Sequence, residues 1–468
     1  MNKKNIIIAL IFAIFLSACE NATKDNNSYN SDIIITNAFV VTVDDDGNIY
    51  KNGTIIIKDD EIIDIGNTED IFAKYTAKEI IDAEGKIVMP GFVNSHTHMG
   101  MTVFRGLADD LYLKDWLTNY IFPAENKFVD AEFVKMGSEL AMIEMIHSGT
   151  TCFNNMYFFQ DEVAKAAKTI GMRGIVCESL IDFPVPNSPT PADGINYIKM
   201  LAEKYKNDPL ITVGVAVHSP YTCSPSLIVE AKKLADDNNL PYHIHVSETK
   251  WEMDSIMETY NLTPVQYLDS LGVMSDNVIA AHCVWLTDKD IQIIAEKGVG
   301  VAHNPECNMK ICSGVAPIPK LLEANAEVGL GTDGAASNNN LNMIEEMHVM
   351  SLLHKLNTMN PTVLPAEQVV RISTMGSAKV IGKQDQIGSL EIGKKADIIF
   401  IDTNEPNAVP IYDVYSGIVY TILGNEVTDV IINGKIIMRD DIILTIDEEL
   451  VKQKVRDIAK DVQEALEQ

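Results

Sequence analysis

Two histidines separated by one residue, His96 and His98, follow the apolar run 87–93 (IVMPGFV), which reads as a buried strand. Side chains two apart on an extended chain leave on the same face. Both imidazoles are therefore spaced to share one metal ion. Imidazole nitrogen suits zinc and related divalent metals, and a catalytic site needs three or four such ligands with a position left for water. An isolated His-x-His pair says little by itself, so the remaining ligands must come from elsewhere in the chain.

The elements that could supply them alternate in type. Between residues 88 and 383, apolar runs fall near 88–93, 150–154, 173–178, 211–217, 242–246, 278–281, 298–302 and 327–330. Helix-like stretches lie between them, for example 130–147, 161–170, 226–238 and 317–324. Eight strands alternating with helices predict an α/β fold, a (β/α)8 barrel rather than an open doubly wound sheet. No GxGxxG or GxxxxGK[ST] segment argues for a dinucleotide or P-loop site.

Active sites of such barrels form at the C-terminal ends of the strands. The polar residues just after each run are His96 and His98, then His218, then His243, His245 and Glu248, then His282, His303-Asn304 and Asp333. Seven of the ten histidines fall at these ends, which core packing alone does not account for. His243 and His245 share a face, so the spacing leaves the choice of ligand between them open. His147, His348 and His354 lie in helix-like segments and read as structural or surface residues.

Several long segments then resemble the amidohydrolase superfamily, most closely its 5-methylthioadenosine/S-adenosylhomocysteine deaminase family. They are PGFVNSHTHMGMTVFRGLADDLYLKDWL from Pro90, VGVAVHSPYTCS, YHIHVSET, IAAHCVWL, GVAHNPECNMK and LGTDGAASNNNLNM. The resemblance implies His96, His98, His245 and Asp333 as metal ligands; His243 and His303 read as histidines packed behind the ligands. It implies Glu248, His282 and Asp333 as the groups that move protons. One divalent metal is expected, zinc first, with Fe2+ or Mn2+ compatible with such donors. A second metal would need a bridging ligand such as a carboxylated lysine at the fourth strand, where this chain has His218. The implied reaction is hydrolysis of a ring amino group to a carbonyl with release of ammonia.

The same resemblance puts Trp116 and Glu125 at a ribose, His218 and Glu248 at the purine ring, and Ser337 near the site. A carboxylate suits a ribose diol because it accepts two hydroxyl hydrogen bonds. The chain departs from the pattern at Glu178, where family members can carry arginine, and no arginine occurs between Arg173 and Arg371. This predicts a preference for adenosine-type nucleosides without a homocysteine tail. The alternatives are another heteroaromatic ring (guanine, cytosine or an s-triazine) or a metal-containing binding lipoprotein without turnover.

The 468 residues carry 37 basic and 66 acidic side chains, a net charge of −29, which argues against nucleic-acid binding, since that wants a positive surface for phosphates. At the N-terminus a short basic segment precedes the apolar stretch 6–16, too short to span a bilayer comfortably. It ends in LSAC, which resembles a bacterial lipoprotein signal with Cys19 as the lipidated residue. The expected product is exported and anchored to a membrane through Cys19, with 1–18 as signal and 19–31 as a polar tether. β-rich texture at 32–87 and again at 384–445 predicts one small β-sandwich built from both ends, flanking the barrel at 88–383. A polar helix over 446–468 closes the chain. The other six cysteines show no disulfide framework, and nothing marks an interface for the homo-oligomer that the family permits.

Overall fold

The computed structural model describes residues 29–466; the expected signal, Cys19 and the tether up to residue 28 lie outside the described residues. The N-terminal strands are β1 (Tyr29–Val41), β2 (Ile49–Lys58), β3 (Glu61–Asn67), β4 (Tyr75–Asp82) and β5 (Ile87–Pro90). The central strands are β6 (Phe92–Thr97), β7 (Thr150–Tyr157), β8 (Arg173–Leu180), β9 (Ile211–Val217) and β10 (Tyr242–Val246). They continue with β11 (Val278–His282), β12 (Gly300–His303) and β13 (Val328–Leu330). Four more follow: β14 (Ile398–Ile401), β15 (Val427–Ile432), β16 (Lys435–Arg439) and β17 (Ile442–Ile443).

β6 to β13 pair in parallel in sequence order, each next to its successor, as a (β/α)8 barrel requires. The first and last strands are stitched mainly by side chains. Ser95 Oγ donates to the Leu330 carbonyl over 2.8 Å, Asn94 Nδ2 donates to Thr332 Oγ1 over 2.7 Å, and the Asp333 amide donates to the His96 carbonyl over 3.0 Å. The remaining nine strands, from both chain ends, form one mixed sheet, with β5 between β1 and β14. Ile33, Ile55, Val88, Phe400 and Ile431 share its apolar core, consistent with the expected sandwich.

The run 87–93 is not one strand, as its unbroken hydrophobicity had suggested. It divides at Gly91: Pro90 pairs with Ile398 in the mixed sheet, and Phe92 pairs with Thr150 in the barrel. Both halves are buried on both faces, so periodicity could not reveal the break. Gly91 is required there, because a Cβ would lie 2.2 Å from the Thr151 side chain. The β fold also starts before residue 32: Tyr29, Asn30 and Ser31 pair with Tyr75, Thr76 and Ala77 of β4, so these three residues belong to a strand and not to the tether.

Helices cover the barrel, several of them started by a side chain that satisfies a free amide. Asp130 caps Ala131–His147, Ser224 caps Pro225–Asn238 and Thr249 caps Lys250–Tyr260. The C-terminal helix Glu448–Leu466 buries Val451, Val455 and Val462 and docks on Ala131–His147, with Glu448 3.1 Å from His147. Barrel and mixed sheet are joined by a buried ion pair. The Arg173 guanidinium donates to both Asp397 oxygens at 2.8 and 3.0 Å and to Asn433 at 2.8 Å. All six cysteines among the described residues are free thiols, and only Cys312 is exposed. No helix of the described residues is long and apolar enough to cross a membrane.

Candidate active site

His96 ends up on β6 and His98 one residue beyond it, both aimed into the barrel mouth as alternation requires. His98 Nδ1 donates to the Met156 carbonyl at 2.5 Å, and His245 Nδ1 donates to the His218 carbonyl at 2.6 Å. A neutral imidazole that donates from Nδ1 presents a bare lone pair at Nε2. The two Nε2 atoms face each other at 3.3 Å. Asp333 Oδ1 lies 3.1 Å from His98 Nε2 and 3.3 Å from His96 Nε2. His96 Nε2 and Asp333 Oδ1 are buried and without a hydrogen-bond partner.

Lone pairs crowding one point without a proton between them repel unless a cation sits there. The donors His96, His98 and His245 lie within 4.8 Å of one another, as do His96, His282 and Asp333. Three imidazoles and a carboxylate fit a divalent metal. The electrostatics agree. Burial pushes His96 down to about 3, and burial also holds His245 well below its ordinary value, so both stay neutral ligands. Asp333 stays ionised although burial opposes it, because His96 and His98 hold its carboxyl well below the usual range. For His98 burial also disfavours the charge, but the Asp333 contact outweighs it and raises the imidazole.

The other expected acid-base residues converge on the same point. His282 Nδ1 donates to Asn308 Oδ1 over 2.9 Å, leaving Nε2 free at 3.9 Å from Glu248 Oε2. Burial, then the Asp333 charge, push the Glu248 carboxyl up to about 8, so it carries a proton at neutral pH. Three of the turns that present these side chains use non-glycine residues in the left-handed region: Ser247 at φ 54°, His282 at 72° and Asp333 at 59°. Such backbone persists where the surrounding structure over-determines it.

Above this cluster opens a pocket. Trp116 and Glu125 line it together with His98, Glu248, His282 and Asp333. Trp116 ends the short helix Leu113–Trp116, and Glu125 sits on Phe122–Phe128; a π-helical turn, Leu117–Ile121, joins the two. Burial raises Glu125 to about 7. His218 also lines the pocket, anchored by Thr222 Oγ1 at 2.9 Å, and burial keeps it neutral by pushing it down to about 3. Ser337 is on the wall, but its hydroxyl donates to Asp333 Oδ2 over 3.0 Å.

Glu178 requires a correction. It does not face the pocket; its neighbour Ser179 does. Glu178 is fully buried, accepting from the Gln160 amide at 3.1 Å and from Asn187 Nδ2 at 2.7 Å. The missing arginine therefore says nothing at this position, because strand alternation turns residue 178 away. What stands is that, among the described residues, no lysine or arginine lines the pocket. His243 supports His96, Nε2 to Nδ1 at 2.9 Å, and His303 pairs with His354 at 3.2 Å. Sequence reasoning missed Asn308, Cys307 and Glu252. The first two sit unassigned in GVAHNPECNMK, and Glu252 stands three residues after the cap Thr249, a capping-box spacing.

A family model described as "Amidohydrolase family" matches residues 87–437, and the chain belongs to that family. Among its relatives, the 5-methylthioadenosine/S-adenosylhomocysteine deaminase of Syntrophobacter fumaroxidans is 42% identical over 435 residues, covering 93% of this chain and 99% of the relative. A 5'-deoxyadenosine deaminase of Methanosarcina mazei is 44% identical over 434 residues, covering 92% and 98%. Among solved structures, an adenosine deaminase from Xanthomonas campestris with bound zinc superposes with a TM-score of 0.91 at 34% identity, covering 93% of this chain and 99% of that one.

Proposed function

We propose that this protein is a zinc-dependent deaminase of adenosine-type nucleosides, replacing the ring amino group by a carbonyl and releasing ammonia. The observation that carries it is the joining of two chemistries in one pocket. At its floor lie the metal-binding donors with Glu248 and His282; on its wall lie Trp116 and Glu125, a flat apolar face beside a diol acceptor. The relatives named as nucleoside deaminases support the same reading.

His96, His98, His245 and Asp333 would hold the metal, and zinc is the ion found in the similar Xanthomonas enzyme. Bound there, a divalent metal supplies a nucleophile near neutral pH by acidifying water. His282, through its free Nε2, and Asp333 would orient the attacking water and take up its proton. Glu248, protonated at neutral pH, donates to the ring nitrogen next to the amino-bearing carbon. The carboxylate left on Glu248 then takes the remaining hydroxyl proton of the added water and passes it to the departing amine, and the proton held by His282 or Asp333 returns to Glu248, so one water is consumed and one ammonia leaves. Glu125 accepts from the ribose hydroxyls.

The substrate reading is narrower than the relatives' names. With no lysine or arginine on the wall, and Leu113, Leu117, Phe122 and Ile181 along it, an amino-acid carboxylate finds no partner. The expected order is 5-methylthioadenosine and 5'-deoxyadenosine ahead of S-adenosylhomocysteine by about tenfold or more in kcat/KM, about 1.4 kcal/mol. Ammonia release from these nucleosides, adenosine, guanine, cytosine and an s-triazine tests it, with chelator and after zinc is restored. Release confined to a free base or triazine, or insensitive to chelator, overturns the function; equal turnover of S-adenosylhomocysteine overturns the order.

The leader supports a proposal on location: Cys19 is lipidated, and the enzyme works outside the cytoplasm on scavenged nucleosides. Labelled fatty acid incorporated into the full chain but not into Cys19→Ala is expected; equal labelling of both removes it.

A further inference from the structure

Glu252 lies outside the pocket wall, fully buried, in the first turn of the helix Lys250–Tyr260. Its spacing from Thr249 is that of a capping box, in which the glutamate turns back to the cap residue's own amide. Here it reaches further. Oε1 accepts from the Ser247 amide and Oε2 from the Glu248 amide, each at 2.8 Å. Two successive amides thus converge on one carboxyl, with Ser247 left-handed at φ 54°; burial raises that carboxyl to about 8 and the two amides oppose the rise, so the grip rests on the paired hydrogen bonds rather than on a fixed charge.

This grip fixes more than a helix start. Glu248 is one of the two residues it holds. The Ser247 carbonyl accepts from Val284 at 3.0 Å and Trp285 at 2.8 Å, and the Val246 carbonyl accepts from Cys283 at 3.0 Å. The turn after β10 is thereby tied to the turn after β11, which carries His282. The 3.9 Å approach of Glu248 to His282 spans these two tied turns. We propose that Glu252 is a positioning residue: the two oxygens of its carboxyl group clamp the Ser247–Glu248 backbone so that the Glu248 side chain meets the substrate ring in register with His282. This rests on the deaminase reading, in which Glu248 carries the proton.

A glutamine at 252 keeps the shape but sets an amide N–H against one of the backbone N–H groups. In the metal-loaded protein, Glu252→Gln is expected to lower kcat by about 10- to 100-fold, the cost of an ångström-scale misplacement, with KM within about threefold and metal content unchanged. The deciding readout is a double-mutant cycle with Glu248→Gln. Acting through Glu248, the Glu252 substitution costs little more once Glu248 is gone. A merely structural role costs the same factor in both backgrounds and overturns the proposal, as does an unchanged kcat or a loss of metal.

Thr249→Val removes the helix cap and leaves the clamp, so its kcat is expected to stay near wild type; a loss as large as that of Glu252→Gln would assign the effect to the helix start instead. If Glu252→Gln does not fold, Glu252→Asp, too short to reach both amides, runs the same cycle with the same outcomes. Wild type silent on every nucleoside removes the deaminase reading and this proposal with it. Active wild type with an additive cycle removes this proposal alone.

Discussion

Asp333 and His96 meet twice: the Asp333 amide donates to the His96 carbonyl over 3.0 Å, and Asp333 Oδ1 lies 3.3 Å from His96 Nε2. The contact that closes the barrel between its last and first strands is thus also the contact that completes the metal-binding donor set. The same two residues join the barrel's ends through their backbones and bring their side chains together at the candidate metal site.

Asp333 can turn Oδ1 toward the histidines because Oδ2 is occupied, accepting from Cys307 Sγ and Ser337 Oγ. Groups that orient a ligand typically cost 10–100-fold in metal affinity when removed. Cys307→Ala is therefore expected to weaken zinc binding by about 10-fold or more, read by competition with a chromogenic chelator. Cys307→Ser, which keeps a donor at the same place, is expected to retain most of it. Equal affinity in all three proteins would show that Ser337 suffices.

Glu125, raised to about 7 by burial, is ionised above that pH and neutral below it. If it accepts from ribose hydroxyls, it does so best as the carboxylate. KM for a nucleoside should then rise as pH falls through 7, by about tenfold at one unit below that value. In Glu125→Gln the pH dependence of KM should vanish while KM itself is higher at pH 8. A flat KM in the wild type between pH 6 and 8 would remove Glu125 from the ribose site.

The ion pair of Arg173 with Asp397 is buried on both sides, with side-chain exposures of 4% and 3%. Removing one partner strands the other, a loss of about 3–5 kcal/mol, whereas replacing both by apolar residues is often tolerated. Arg173→Met is expected to melt well below wild type, and Arg173→Met with Asp397→Leu to recover a large part. If the double variant melts no higher than the single, the pair is not what joins barrel to sheet.

Much of the site was legible because its signals are local. The period-two rule paired His96 with His98 from the chain alone, and strand ends marked His245, Glu248, His282 and Asp333 before any contact was known. The helix ends near residues 130, 225 and 448 were readable for the same reason: cap and periodicity are properties of neighbouring residues. Legibility failed where the deciding partner is remote or the pattern is degenerate. A run buried on both faces conceals the break at Gly91. The strand Arg173–Leu180 is likewise buried throughout, so nothing in it told whether residue 178 or 179 faces the pocket.

The sequence by itself determined which residue types stand at the barrel's mouth, the order of strands and helices, and hence the donors available to a metal. Tertiary structure alone decided which of those donors converge. It selected His245 over His243 as the imidazole facing His98 and turned Glu178 away from the pocket to Asn187. It also set Glu252 beneath the turn of Glu248. The physical reason is range: side-chain direction along a strand follows from the backbone a few residues away. Convergence of His96 with Asp333, by contrast, depends on closing a ring of eight strands, which no local stretch encodes.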